Sequence, residues 1–290
     1  MSALKPIGER RFFMDDNLVE RENPSARSTD TPSASEYGRE YFDTYGHLGY
    51  SREIWLESFR GMADQIVRQI NPRRVLDVGC AKGFLIECLR DRGVEAYGFD
   101  ISEYAVNEAR PDVRPYCWVG SAANSINERY DLITCIEVCE HLPEPEANEA
   151  VRQMASHSDM VLFSSSPGHF DEPTHLNVHP VIDWLRLFAQ FSFTPDTEFD
   201  AGFLSPQAIL FRRAAVPPSD RDLCQFAHAK NRAIALEELQ TSPRLSPALR
   251  ELDTIRNSKG WKLLNRFRNL RARVKDPIAR ALRKLNLIRS

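Results

Sequence analysis

The sequence of 290 residues predicts an α/β fold, with a seven-stranded, mostly parallel sheet and helices on both of its faces. A strand, a glycine turn and a helix follow one another over 74–93, and a second strand then ends at Asp100. Apolar runs alternate with helical patterns as far as residue 163, as in repeated βαβ units. Two further apolar runs bring the number of predicted strands to seven. Helical patterns before the first strand and after the last strand in the sequence predict an N-terminal cap and a C-terminal tail.

The first βαβ unit has the clearest pattern. Residues 75–78, Val-Leu-Asp-Val, are an apolar run with one carboxylate, which is typical of a buried parallel strand. The small residues of 79–83 predict a tight turn, the following helix stops at Gly93, and 94–99 predict the second strand. Apolar side chains recur at helical spacing in between, at Phe84, Leu85, Cys88 and Leu89.

The turn of this unit suits a nucleoside ligand. Gly79 and Gly83 allow a sharp turn and a close approach of a ligand to the main chain, where a helix N-terminus presents its N–H groups. Asp100 follows Gly83 by 17 residues and is placed to accept both ribose hydroxyls. Asp77 would repel the pyrophosphate of a dinucleotide and would favour an ammonium group.

This arrangement resembles the class I S-adenosylmethionine-dependent methyltransferases, whose fold is Rossmann-like. The resemblance lies in an acid followed by small residues at alternate positions, with Ala81 replacing the middle glycine of the family pattern. It implies S-adenosyl-L-methionine as the cofactor. The cofactor-binding residues that it implies are Asp77, Gly79, Cys80, Ala81, Gly83, Asp100, Ile101, Ser121, Ala122, Glu137, Tyr41 and Tyr45.

The N-terminal region divides into two parts. Residues 1–35 are polar and carry little periodicity, which predicts disorder. From residue 36 a cluster of tyrosines leads into an amphipathic helix, over 54–70, that we interpret as a cap. The resemblance implies that Tyr41 or Tyr45 touches the methionine carboxylate, whereas the alternative is an aromatic cluster that only forms core.

The chain after Asp100 predicts a helix capped by Ser102 and ending at Ala109, and then a third strand over 113–119. In the resembling family the next loop flanks the adenine. No acid stands in this loop, so Ser121 or the main chain would have to make that contact.

A second match to the family follows the next buried strand, over 130–136. The pattern D-L-I-x-x-x-E-V-x-E-H-L resembles the fourth methyltransferase motif and places His141 beyond the tip of this strand. A histidine there, with an ordinary pKa near neutrality, suits a general base. The alternative is that His141 satisfies backbone groups of the loop.

A polar loop follows a helix over 144–155 and a fifth strand over 160–163. It holds histidines and acids where open α/β sheets bind ligands, so we expect it to line the acceptor pocket, with His175 as a second catalytic candidate. Asp171 and Glu172 are further candidate bases. We assign no metal ligands, because the spacing matches no ligand motif, although some related sugar methyltransferases use magnesium.

The end of the chain predicts a helix from Pro180, a closing strand pair and a tail. The resemblance implies that the strands over 191–199 and 207–211 are antiparallel. The predicted domains are therefore a segment 1–35, a methyltransferase domain 36–215 and a helical basic extension 216–290.

The basic extension differs in charge from the rest of the chain. Residues 256–290 contain 12 Lys or Arg and one acid, giving +11, whereas the first 255 residues carry −14. Two apolar stripes in this tail suit peripheral contact with an anionic membrane or a glycan-assembly protein. A solvated helix is the alternative, and sparse aromatics disfavour nucleic acid.

Composition predicts a cytoplasmic protein, peripheral to the inner membrane surface if the tail binds it. No apolar stretch approaches the ~20 residues of a membrane span, and the N-terminus lacks the apolar segment of a signal peptide. The six cysteines lack metal-type spacing and fall mostly in apolar elements, which predicts buried, reduced thiols.

The polar loop over 168–179, the basic tail and a general similarity to methyltransferases of bacterial glycan pathways imply that the chain methylates a sugar hydroxyl of a cell-surface glycan or its precursor. The acceptor is therefore a saccharide or another small molecule. One alternative is methylation of a small metabolite or an amine, and another is a non-catalytic, cofactor-binding partner of a glycosyltransferase. The cofactor residues that remain in this sequence argue against the last alternative.

Overall fold

The computed structural model describes residues 36–44, 49–124, 126–168, 170 and 172–241. Seven strands form one sheet in the order β3-β2-β1-β4-β5-β7-β6. The strands are β1 (Arg74–Val78), β2 (Glu95–Asp100), β3 (Cys117–Val119), β4 (Leu132–Ile136), β5 (Met160–Ser164), β6 (Phe193–Pro195) and β7 (Ile209–Arg213). The first five are parallel, and β7 runs antiparallel to both β5 and β6.

Seven α-helices accompany the sheet in the described residues. They are α1 (Arg39–Thr44), α2 (Arg52–Gln69), α3 (Phe84–Arg90), α4 (Glu103–Asn107), α5 (Glu144–His157), α6 (Val181–Gln190) and α7 (Asp220–Thr241). Short 3₁₀ turns precede β3 and follow β4. The predicted fold class is confirmed.

The core lies on both faces of the sheet, as expected for strands that are apolar on both sides. On one face, Met154 of α5 and Leu185 of α6 pack with strand residues into a first buried cluster. On the other face, Ile66 of α2 and Leu85 of α3 belong to a second cluster. The central strands β1 and β4 are adjacent, so their carboxyl ends open at the same edge of the sheet.

Four predicted elements are shorter in the structure than in the sequence pattern, and one of them is the strand predicted over 130–136, which begins at Leu132. The third strand begins only at Cys117, because Pro115 lies in a 3₁₀ turn and lacks the N–H that a ladder needs. The helix after Ser102 ends at Asn107 rather than at Ala109. The strand predicted from residue 191 begins at Phe193, because Ser192 adopts a left-handed φ of 63°.

Other predictions concern the ends of the chain and the cysteines. Residues 1–35, Tyr45, His169, Asp171 and the basic tail lie outside the described residues, so the expectations about them stay predictions. The first part of α7, beyond the predicted domain end at 215, contributes Leu223 and Ala227 to the core. Five cysteines are buried thiols and Cys224 is exposed. Among the described residues, no helix is both long enough and apolar enough to span a bilayer.

Candidate active site

Asp77 lies inside the sheet at the end of β1. Its side chain is only 5% exposed and pairs in register with Thr134 of β4, whose hydroxyl donates a 2.6 Å hydrogen bond to Oδ1. Burial raises the pKa of Asp77 to about 7, and the Thr134 hydrogen bond opposes this rise. The carboxyl group therefore changes its charge near neutral pH, and the predicted contact with an ammonium group would favour its ionised form.

The glycine turn is shaped by packing against the rest of the domain. Gly79 has a φ of 75°, and a Cβ there would lie 2.3 Å from Cγ2 of Val138. Gly83 has a φ of 70° and is the residue directly before α3, its N-cap. Ala81 also adopts a left-handed φ, 47°, at the position where the family pattern has glycine. Both Gly79 and Cys80 donate their backbone N–H groups to the carbonyl of Phe99, which ties the turn to β2.

Asp100 connects the glycine turn to the following loop. Its Oδ2 accepts a 2.8 Å hydrogen bond from the backbone N–H of Ala81, and its Oδ1 accepts one of 2.8 Å from Ser102. Each carboxylate oxygen can accept a second hydrogen bond, so the predicted contact with two ribose hydroxyls remains chemically possible. Ile101, which lies between Asp100 and Ser102 in the sequence, is half-buried.

The loop after β3 lies beside this acid, because the N–H of Gly120 donates to the carbonyl of Asp100 at 2.9 Å. Ser121 is half-buried and accepts a hydrogen bond from the N–H of Ala123, whereas Ala122 is buried. The structure thus brings the predicted adenine loop next to the predicted ribose acid.

The N-terminal cap reaches this edge through Tyr37, a residue that sequence reasoning did not select. Its carbonyl accepts a 2.5 Å hydrogen bond from the Ser102 hydroxyl, and its ring packs edge-on against His141 at 5.9 Å and Tyr41 at 5.1 Å between centroids. The Tyr37 hydroxyl is buried and has no hydrogen-bond partner in the described part of the chain. Burial, together with nearby carboxylates, raises the pKa of Tyr37, so its hydroxyl stays protonated.

The segment after β4 carries two acids with different environments. Glu137 has a left-handed φ of 54°, and its Oε1 accepts a 3.1 Å hydrogen bond from the amide of Gln207. Glu140 is completely buried, and its Oε1 accepts a 3.1 Å hydrogen bond from the N–H of Ser166. Burial and the neighbouring Glu137 raise the pKa of Glu140 well above its usual range. Glu140 is not among the site residues predicted from the sequence. The signal that could have identified it is its position directly before the candidate histidine His141.

The two candidate histidines, His141 and His175, come together in the structure. Their ring centroids are 4.7 Å apart at 78°, and Nδ1 of His141 lies 3.2 Å from the carbonyl of Thr174. The loop is attached to the β4 segment because the N–H groups of Leu176 and Asn177 donate to the carbonyl of Glu140. Burial, and then the neighbouring His175, lower the pKa of His141 to about 4. His141 is therefore neutral at physiological pH but weakly basic.

One oxygen of Glu140 and one nitrogen each of His141 and His175 lie within 4.8 Å of one another. These are residues that could hold a metal ion, and the sequence spacing alone did not assign them.

Tyr41 is half-buried against Tyr37 and Phe42 in the cap. The roles assigned to the individual site residues stay predictions.

The fold and this edge of the sheet define a nucleoside-binding α/β domain of the methyltransferase type. Residues 54–198, half of the chain, match the family model of a methyltransferase domain. The chain belongs to this methyltransferase domain family, and the predicted S-adenosylmethionine cofactor is confirmed for the domain.

Curated relatives also match this region. Ubiquinone biosynthesis O-methyltransferase from Azoarcus sp. is 29% identical over 163 residues, which are 51% of this chain and 66% of that protein. The protein of the same name from Alkalilimnicola ehrlichii is 34% identical over 110 residues, 35% of this chain and 44% of that protein. The match thus spans less than two thirds of each of these relatives.

Among solved structures, magnesium protoporphyrin IX methyltransferase from Synechocystis with bound SAH aligns at 20% identity and a TM-score of 0.48. The alignment covers 61% of this chain and 98% of that one. The predicted resemblance to methyltransferases of bacterial glycan pathways is not supported, because the curated relatives carry a different name.

Proposed function

We propose that this protein transfers the methyl group of S-adenosylmethionine to a hydroxyl oxygen of its acceptor. In this reaction the carbon–sulfur bond to the methyl group breaks, a carbon–oxygen bond forms, and the hydroxyl proton leaves. The products are a methyl ether, S-adenosylhomocysteine and a proton. The observation that carries the proposal is the pair His141 and His175, which lies beside Glu140 at the same sheet edge as Asp100.

The position of these side chains supports transfer to oxygen. A neutral imidazole can accept a hydrogen bond from a hydroxyl and thus orient it toward the sulfonium methyl group. The lowered pKa of His141 leaves that ring unprotonated at neutral pH, so it does not repel the cofactor's positive sulfur. The names of the curated relatives, which are O-methyltransferases, agree with this chemistry.

A phenolic hydroxyl is the acceptor class that the site favours. A phenol ionises near pH 10, as tyrosine does, whereas an alcohol of a sugar ionises less readily. Because His141 is a weak base, it is better suited to the more acidic hydroxyl. The curated relatives' names, which refer to ubiquinone biosynthesis, point in the same direction.

A sugar hydroxyl of a glycan or its precursor is the second candidate. It is supported by the polar loop that precedes His175, in which Glu172 is exposed and Thr174 donates a 3.2 Å hydrogen bond to its carboxylate. Such groups can bind several hydroxyls of a saccharide. A sugar acceptor would need more help in losing its proton than His141 alone provides.

Radiolabelled methyl transfer by the full-length protein tests the proposal. The acceptor panel contains dihydroxybenzoates, nucleotide sugars, extracted lipid-linked glycans and primary amines, and S-adenosylhomocysteine release is followed in parallel. We expect label in a phenolic ether. Label in glycans would favour the second candidate. Label in amines alone, or tight cofactor binding without turnover on any acceptor, would contradict O-methyl transfer.

A further inference from the structure

Glu140, His141 and His175 come from two segments that backbone hydrogen bonds join. Leu176 and Asn177 donate to the carbonyl of Glu140 at 2.8 and 2.9 Å, and the amide of Asn177 donates to the carbonyl of Cys139 at 3.3 Å. These bonds hold the loop that carries His175 against the turn that carries the other two residues. The cluster is therefore positioned by the fold rather than by flexible surface side chains.

The carboxylate of Glu140 is the first sign of a missing ligand. One oxygen accepts from the N–H of Ser166, but Oε2 is buried and finds no hydrogen-bond partner within the described residues. A buried polar atom without a partner destabilises the folded protein. The side chain of Glu137 stands nearby and interacts directly with Glu140. A cation would satisfy the unpartnered oxygen and reduce the repulsion between the two acids.

The histidines supply the second sign. The carbonyl of Thr174 can only accept a hydrogen bond, so Nδ1 of His141 carries the proton and Nε2 keeps its lone pair. A backbone carbonyl that fixes the tautomer in this way is the usual outer partner of a metal-binding histidine. His175 is buried with its ring centroid 4.7 Å from that of His141, and one nitrogen of each ring lies within 4.8 Å of the other.

We infer that Glu140, His141 and His175 form a binding site for one divalent transition-metal cation. Their ligand atoms lie within 4.8 Å of one another. Ligands that share an ion at about 2.1 Å stand roughly 3 to 4 Å apart, so a small contraction of the side chains suffices. Two imidazoles and one carboxylate suit manganese, iron, cobalt or zinc better than magnesium.

Three protein ligands leave coordination positions open. A bound cation would occupy the same sheet edge as the cofactor, where it could hold the acceptor's hydroxyl and favour the loss of its proton. This role rests on the proposed function. With Nε2 of His141 bound to the cation, the cation rather than that imidazole would assist the loss of the hydroxyl proton. The binding of the cation itself does not depend on that function.

Metal titration of the full-length protein tests the site directly. The protein is treated with EDTA and dialysed. A titration with Mn²⁺ is monitored by the loss of the free ion's electron paramagnetic resonance signal. A second titration, with Co²⁺, is monitored by visible absorption. We expect one equivalent of each ion to bind. Glu140→Gln and His175→Gln should weaken binding at least tenfold, whereas His228→Gln, which changes an exposed histidine on α7, should leave it unchanged.

Folding of each variant is checked by circular dichroism and by calorimetry with S-adenosylhomocysteine. If a variant fails to fold, broadening of histidine NMR signals by Mn²⁺ in the wild-type protein identifies the ligands instead. Absence of stoichiometric binding, or binding that persists unchanged in folded Glu140→Gln and His175→Gln proteins, would overturn the inference. Full metal and cofactor occupancy without methyl transfer would contradict the proposed function and leave the site standing.

Discussion

Asp100 combines a structural task with its predicted contact to the ribose. Its two oxygens hold the N–H groups of Ala81 and Ser102, so the carboxylate keeps the glycine turn and the next loop together. The side chain that would bind the cofactor is thus also the one that shapes the binding turn. A substitution of Asp100 is therefore expected to change both cofactor binding and the stability of the glycine turn.

We predict that Asp100→Ala weakens the binding of S-adenosylhomocysteine by ~1.5–3 kcal/mol, the scale of hydrogen bonds to a charged group. The same change should lower stability, because two backbone N–H groups lose their acceptor. Calorimetry and urea unfolding measure the two effects. Asp131→Asn is a matched control, because Asp131 accepts from the N–H groups of Arg73 and Arg74 at the start of β1, at the opposite end of this strand from the glycine turn. Unchanged cofactor binding in folded Asp100→Ala would remove the ribose assignment.

Asp77 makes stability depend on pH. Its pKa is raised to about 7 in the folded protein, whereas a free aspartate titrates near 3.9 in an unfolded chain. Between these values the folded state binds more protons, so this group's contribution to stability is lost as pH rises from about 4 to 7. Urea unfolding of the cofactor-free protein should therefore show a steeper decline with pH in the wild type than in Asp77→Asn.

Cofactor binding should reverse this effect. An ammonium group beside Asp77 would favour the ionised carboxylate, so affinity for S-adenosylhomocysteine should rise with pH up to about 7, and binding should release protons. Calorimetry in two buffers with different ionisation enthalpies measures this release. Equal proton release by wild type and Asp77→Asn would show that Asp77 does not face the ammonium group.

At the scale of elements, an ion-pair cluster centred on the buried Glu87 joins α3 to α2 and to the segment after α4. Glu87 of α3 is 3% exposed and pairs with Arg52, the first residue of α2. Arg110, which follows α4, lies 3.1 Å from the same carboxylate and also binds Asp91. This cluster keeps the cap helix α2 against the helix that follows the glycine turn.

We predict that Glu87→Gln destabilises the protein by about 1–3 kcal/mol, because two arginines lose a charged acceptor. Urea unfolding measures the change. Glu149→Gln is the control, because its pair with Arg152 on the surface of α5 should contribute little. If both variants unfold at the same urea concentration as the wild type, the cluster does not hold α2 in place.

At the scale of the whole molecule, the strongest contrast is between the acidic first 255 residues and the tail of charge +11. We propose that the tail attaches the enzyme to anionic membranes. Each Lys or Arg near such a surface contributes ~1 kcal/mol, so a few engaged residues give measurable adsorption that salt weakens. The proposal rests on composition and on the two apolar stripes in the sequence.

Liposome co-sedimentation of the full-length protein and a 1–255 truncation measures this attachment. We expect only the full-length protein to sediment with anionic vesicles at low salt, and neither protein to sediment with neutral vesicles. Equal sedimentation of both proteins would contradict membrane attachment by the tail. Loss of activity toward a water-soluble acceptor in the truncation would show that the tail is part of the catalytic domain.

Local chemistry allowed much of the fold to be predicted from the sequence. The apolar runs of β1, β4 and β5 and the stop at Gly93, with a φ of 80°, depend on residues close together in the chain. Ser102 accepts from the N–H of Ala105, as its position before a helix predicts. The position of Asp100 at the end of the second strand could be predicted because the length of a βαβ unit fixes its distance from the glycine turn.

Only the tertiary structure brought together Tyr37, Glu140, His141 and His175, which lie in three separate segments. No short-range pattern encodes these contacts, because they depend on how the cap and a long loop pack over the ends of the strands. Burial then changes their chemistry, lowering the pKa of His141 and raising that of Glu140. Residue types and spacing therefore determined the cofactor class, whereas packing and desolvation decided the chemical character of the acceptor side.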